Sequence, residues 1–135
     1  MKKILLLSAF LIFACSSDGD NSNSSNGNSF NPPAWIKGIW LNNVNGSLST
    51  GFDFRDDDVC SVTFGGAYCY KGIIELYADV PNVSTNVYEE ISSSRYYFVF
   101  TYGPNEITHE FEKVSDNTIN SIQYTSALPT ILTKQ

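Results

Sequence analysis

Arg95-Tyr96-Tyr97-Phe98-Val99-Phe100-Thr101-Tyr102 is the stretch that decides the fold. Every residue after the arginine is aromatic or β-branched, which suits a packed, pleated surface, and Gly103-Pro104-Asn105 ends the run. Working outward, the flanking segments also alternate at period two. Downstream, Ile107, His109 and Phe111 share one face, while Glu106, Thr108, Glu110 and Glu112 share the other. A turn at Ser115-Asp116-Asn117 leads to strands from Thr118 to Tyr124 and from Thr130 to Thr133. Upstream, Phe52 and Phe54 face one way within Gly51-Phe52-Asp53-Phe54-Arg55, and Asp56-Asp57-Asp58 turns the chain. Val59 to Phe64 then runs to a turn at Gly65-Gly66, and Ala67 to Tyr77 reads as one long strand with Gly72 marking a bulge. The span from Asp79 to Ser94 reads as strand, loop or a short helical cover. No stretch carries a 3.6-residue period. About eight short strands in succession predict an all-β domain, a small antiparallel up-and-down β-barrel, with a two-sheet sandwich as the competing way to hide sheet edges.

The chain ahead of these strands has a different composition. Lys2 and Lys3 precede an apolar run from Ile4 to Phe13, the charged start and short apolar segment of a secretory signal, so residues 1–14 form the expected signal peptide. That run is about half the roughly 20 residues a membrane-spanning helix needs. Ile12-Phe13-Ala14-Cys15 resembles a bacterial lipobox. The resemblance implies cleavage before Cys15, acylation of its sulfur and a membrane anchor of two or more fatty chains. The implied location is the outer membrane. Ser16-Ser17-Asp18-Gly19-Asp20 is similar to the surface-export signals of certain Gram-negative lipoproteins, with a periplasm-facing position as the alternative.

From Ser16 to Ser29 the chain contains only Ser, Asn, Asp and Gly, so residues 15–29 read as a lipidated cysteine and a flexible linker. Residues 30–135 are then one domain of near-modal size. Losing Lys2 and Lys3 leaves 6 Lys+Arg against 14 Asp+Glu, a formal charge of −8. That balance excludes nucleic acid and an electrostatic hold on anionic lipid, and it fits a cationic partner or solubility.

Gly38-Ile39-Trp40, inside Trp35-Ile36-Lys37-Gly38-Ile39-Trp40, resembles the Gly-x-Trp motif that opens the first strand of lipocalins. Gly51-Phe52-Asp53-Phe54 and Phe111-Glu112-Lys113-Val114-Ser115-Asp116 are similar to later elements of small lipocalin-like lipoprotein domains. The resemblance implies a calycin-like barrel in which Gly38 permits a bend and Trp40 plugs the base. It also implies a non-enzymatic domain for a small apolar ligand or a partner protein. Candidates to line the interior or mouth are Trp40, Phe52, Phe54, Tyr97, Val99, His109 and Phe111, with Tyr96, Phe98 and Phe100 replacing Tyr97 and Val99 if the strand parity is reversed. No Thr-Asp-Tyr motif is present, and no arginine follows Arg95 to cross the tryptophan. Small lipid-anchored barrels also resemble bacterial inhibitors of lysozyme and proteases, which gives a second reading: an inhibitor of a secreted lytic enzyme.

Residues with reactive chemistry are few. With Cys15 acylated, Cys60 and Cys69 form the candidate disulfide of an oxidising compartment. A turn centred on Gly65-Gly66 puts Cys60 opposite Lys71, so bonding requires a shifted register or a longer loop; two buried thiols are the alternative. His109 is the one histidine, too few for a zinc site. Three consecutive aspartates cannot all point at one calcium ion, and Glu89, Glu90, Glu110 and Glu112 read as exposed positions. No metal, no cofactor and no catalytic group is expected.

Overall fold

The computed structural model describes residues 23–42, 49–123 and 128–135. The signal segment 1–14, Cys15 and the linker up to residue 22 lie outside these residues, as does Tyr124 at the end of an expected strand. Alternating sequence becomes strand throughout: β1 (Asn23–Gly27), β2 (Gly38–Asn42), β3 (Thr50–Phe54), β4 (Val59–Thr63), β5 (Gly66–Cys69), β6 (Thr85–Ile91), β7 (Arg95–Tyr102), β8 (Asn105–Ser115), β9 (Thr118–Ile122) and β10 (Thr130–Lys134). They pair antiparallel in one sheet, ordered β1-β6-β7-β8-β9-β10-β2-β3-β4-β5, which curls into a half-barrel. Two meanders, β2 to β5 and β6 to β9, are joined in the hydrogen-bonded sheet by β10, which pairs with both β9 and β2.

The all-β expectation holds, while the closed barrel of about eight strands is replaced by ten strands with β1 and β5 at the ends. One added strand is β6, from the span left open between Asp79 and Ser94. The other is β1, which occupies residues read as flexible linker. Its side chains are all exposed, so backbone pairing with the β6 edge holds it rather than apolar burial.

The expected long strand from Ala67 to Tyr77 is also two elements. β5 stops at Cys69 and a helix, α1 (Tyr70–Tyr77), begins. Tyr70, Ile73, Ile74 and Tyr77 lie at i, i+3, i+4 and i+7, one helical face. Tyr70 is buried, and Ile73 and Ile74 pack on the core. Cys69 at the N-cap offers no side-chain bond, but the Asp58 carboxylate accepts from the Lys71 N–H at 2.8 Å and supplies the missing partner. α1 touches both β4 and β7, so it bridges the two meanders across the concave side of the curled sheet.

Two glycines are needed for their size and freedom. Gly38 opens β2 with φ of 117°, a value other residues rarely adopt. Gly51 has no room for a side chain: a Cβ there would lie 1.9 Å from the Trp40 carbonyl oxygen.

Candidate functional site

Alternate residues of β2, β3, β7 and β8 turn inward and fill the concave face with rings. Trp40 from β2, Phe52 and Phe54 from β3, Tyr96, Phe98 and Phe100 from β7 and Phe111 from β8 are all buried there. Phe111 meets Phe52 and Phe54 edge-on with centroids 4.9 Å apart in each pair. Phe30, from the segment after β1, enters the same layer 5.2 Å from Phe98 and 5.8 Å from Phe100. Pairs of this geometry add about 0.5–1.5 kcal/mol each beyond area burial. Trp35 closes one end, its indole N–H donating to the Ser92 carbonyl at 3.0 Å. Lys134 lies 5.2 Å over the Trp40 ring, so a cation does cross that tryptophan, from β10.

Of the candidate lining residues, the structure brings Trp40, Phe52, Phe54, His109 and Phe111 together on this face. Tyr97 and Val99 are corrected: β7 turns Tyr96, Phe98 and Phe100 inward, and Tyr97 and Val99 face the convex side. There Arg95 stacks 5.1 Å over Tyr97 and bonds Glu90 and Glu110. Both faces of the strand therefore carry aromatic residues, each for its own reason.

His109 packs 4.8 Å from Phe52 and 5.2 Å from Phe98, and its Nε2 sits 3.2 Å from the Tyr70 hydroxyl. Burial among these rings holds the imidazole neutral, with its pKa down to about 4. The Tyr70 hydroxyl is pushed up to about 12, first by burial and then by Tyr102. The two shifts move apart, so at neutral pH an uncharged imidazole meets a protonated phenol across a buried hydrogen bond.

Glu89 was not expected inside. It shares parity with Val87 and Ile91 on β6, and that alternation is the signal that places it on the concave side. It is 1% exposed. Its carboxylate accepts from the Tyr96 hydroxyl at 2.5 Å, the Asn31 N–H at 2.9 Å and the Ser25 hydroxyl at 3.1 Å. Burial raises the Tyr96 pKa further from its ordinary value, with the Glu89 charge and hydrogen bond adding to it. Glu90 and Glu110, by contrast, belong to the Arg95 cluster.

The β4–β5 hairpin turns at Phe64-Gly65, one residue earlier than a turn centred on Gly65-Gly66. Gly65 takes φ of 91°, Thr63 pairs with Gly66, and Cys60 falls opposite Cys69 rather than Lys71. The two sulfurs are bonded. The Asp58 carboxylate lies within 4.8 Å of both, but disulfide sulfurs have no thiolate to offer a metal. Its oxygen instead accepts from the Val59 and Lys71 N–H groups, and burial raises its pKa. Asp56 and Asp57 diverge to Lys37 and Lys71. Phe64 and Tyr68 project from this hairpin at 65% and 70% exposure.

Open hollows lie outside the ring layer. One of about 380 Å³ and one of about 310 Å³ flank β1 and the segment after it, and one of about 290 Å³ sits where β1 meets Tyr88 and Glu90. Trp40, Phe52, Phe54, His109 and Phe111 line none of them. No protein-family model, no curated protein and no solved structure matches the chain.

Proposed function

We propose that this chain is a lipid-anchored, non-enzymatic binding domain of the bacterial outer membrane, lipocalin-like in architecture, that engages a protein partner through its exterior. The observation that carries the reading is the filled concave face. Where a ligand-carrying barrel would leave space, Phe30, Phe52, Phe98 and Phe111 touch ring to ring. Acylation at Cys15 rests on the Ile12-Phe13-Ala14-Cys15 tetrad. Inhibition of a secreted lytic enzyme is the second reading. The formal charge of −8 beyond residue 14 favours it, because it steers a cationic enzyme toward the domain.

Labelling with a palmitate analogue and native mass spectrometry of the purified protein test this together. The expected result is label on the wild type, none on Cys15→Ser, and a mass equal to polypeptide plus acyl chains. A retained apolar molecule, or label independent of Cys15, overturns it. Titration with lysozyme as a cationic probe, repeated at raised salt, tests the second reading.

A further inference from the structure

We infer that the β6 edge is an acceptor site for an extended cationic peptide segment of a protein partner, and that β1 is a weak placeholder seated in it. The inference deepens the protein-binding reading above and rests on it. β1 reads Asn23-Ser24-Ser25-Asn26-Gly27, residues depleted from strands because they pack poorly and compete for backbone bonds. All five are exposed, yet they pair in register with β6, from Asn23 opposite Ile91 to Gly27 opposite Val87. A bound strand gains affinity from its main chain and specificity from pockets for alternate side chains. β1 uses the first and leaves the second empty. The hollows of about 380 Å³ and about 310 Å³ both include Ser25 in their walls, and the one of about 290 Å³ includes Ser24. Side chains larger than serine would enter them.

Charge says which side chain. Ser25 faces Glu89, and the larger hollow also borders Asp56 and Asp57. Lys37 and Lys71 pair with those aspartates, whereas the bonds to Glu89 among the described residues come from neutral donors. A buried carboxylate without a cation is costly, and a lysine or arginine at the Ser25 position would supply one. Strand exchange needs little rearrangement of the core: the side chains of β1 are exposed, and the one bond lost to Glu89, from the Ser25 hydroxyl, is the one an incoming cation would replace.

The test uses the full chain in three forms: wild type, S24P/S25P, which removes N–H groups from β1, and N26C/Y88C, which ties it to its partner position. The probe is a fluorescent peptide copying residues 21–30 with the S25K substitution. It is expected to bind S24P/S25P at least tenfold tighter than the tied form, and to lose about tenfold when E89Q is added. Equal affinity for both forms, or a folded S24P/S25P that binds nothing, overturns the inference. A dimer of S24P/S25P overturns the cationic occupant in favour of a second copy. Should the proline variant fail to fold, hydrogen exchange decides: β6 amides are expected to exchange at least a hundredfold faster in wild type than in the tied form, and equal rates overturn the inference. A protein partner that binds the tied form as well as wild type leaves the protein-binding reading standing and removes this site.

Discussion

Acid should reveal how dry the ring layer is. In an unfolded chain His109 titrates near its ordinary 6.5, whereas burial against Phe52, Phe98 and Tyr70 holds it down to about 4 in the fold. A histidine depressed on folding contributes nothing adverse above pH 6.5, and it removes stability as pH falls from 6.5 toward 4. At about 1.36 kcal/mol per pH unit, the whole interval amounts to about 3 kcal/mol, of which about 2 kcal/mol is lost by pH 5. Carboxylates also contribute to the acid response. Asp57, Glu90 and Asp116 are held low by Lys71, Arg95 and Lys113, while burial holds Asp58 high. A difference between two proteins that share them cancels their effect. Urea midpoints of wild type and His109→Gln, which keeps an amide for the Tyr70 hydroxyl, should be compared from pH 7 to pH 4.5. The wild type should lose about 2 kcal/mol more than the variant between pH 7 and pH 5. Parallel curves would refute the buried, neutral imidazole.

Gly51→Ala drives a methyl into the Trp40 carbonyl and should cost about 1–3 kcal/mol or more in a thermal or urea melt; an unchanged midpoint would mean that β2 and β3 pack less closely than described. Tyr96→Phe removes a donor from buried Glu89 and should cost about 1–3 kcal/mol, with the loss largely restored when Glu89→Gln is added. Replacing both Cys60 and Cys69 by serine opens a small closed loop and should cost about 3 kcal/mol in the absence of reductant, an effect that dithiothreitol should reproduce in the wild type. Arg95→Ala breaks a half-buried surface cluster on the convex face and should cost about 1 kcal/mol, since solvent still screens both pairs.

Much of the strand content was legible, because period-two alternation with turn residues between is a local signal. The side each strand presents was less so. On β7 the two parity sets are Tyr96, Phe98, Phe100 and Tyr97, Val99, both apolar, so alternation has no sign until a neighbour supplies one. β6 would have supplied it, since Val87 and Glu89 face inward together, but a glutamate in that position reads as solvent-facing. α1 was hidden by its length: eight residues give little over two turns, and its Lys71 N–H is satisfied by Asp58 from the preceding hairpin rather than by an N-cap side chain. β1 has no side-chain signal, because its pairing is carried by the main chain. The disulfide depended on which residues formed a two-residue turn, a shift of one position that composition does not encode.

The strand that joins the two meanders comes after both of them in the chain. β10 sets Thr133 against Leu41, across 92 positions, and without it β2 to β5 and β6 to β9 share no hydrogen-bonded border. Contacts so remote form late and slowly. A nascent chain would therefore emerge as two unstitched halves, each with a bare edge until the last strand seats itself between them.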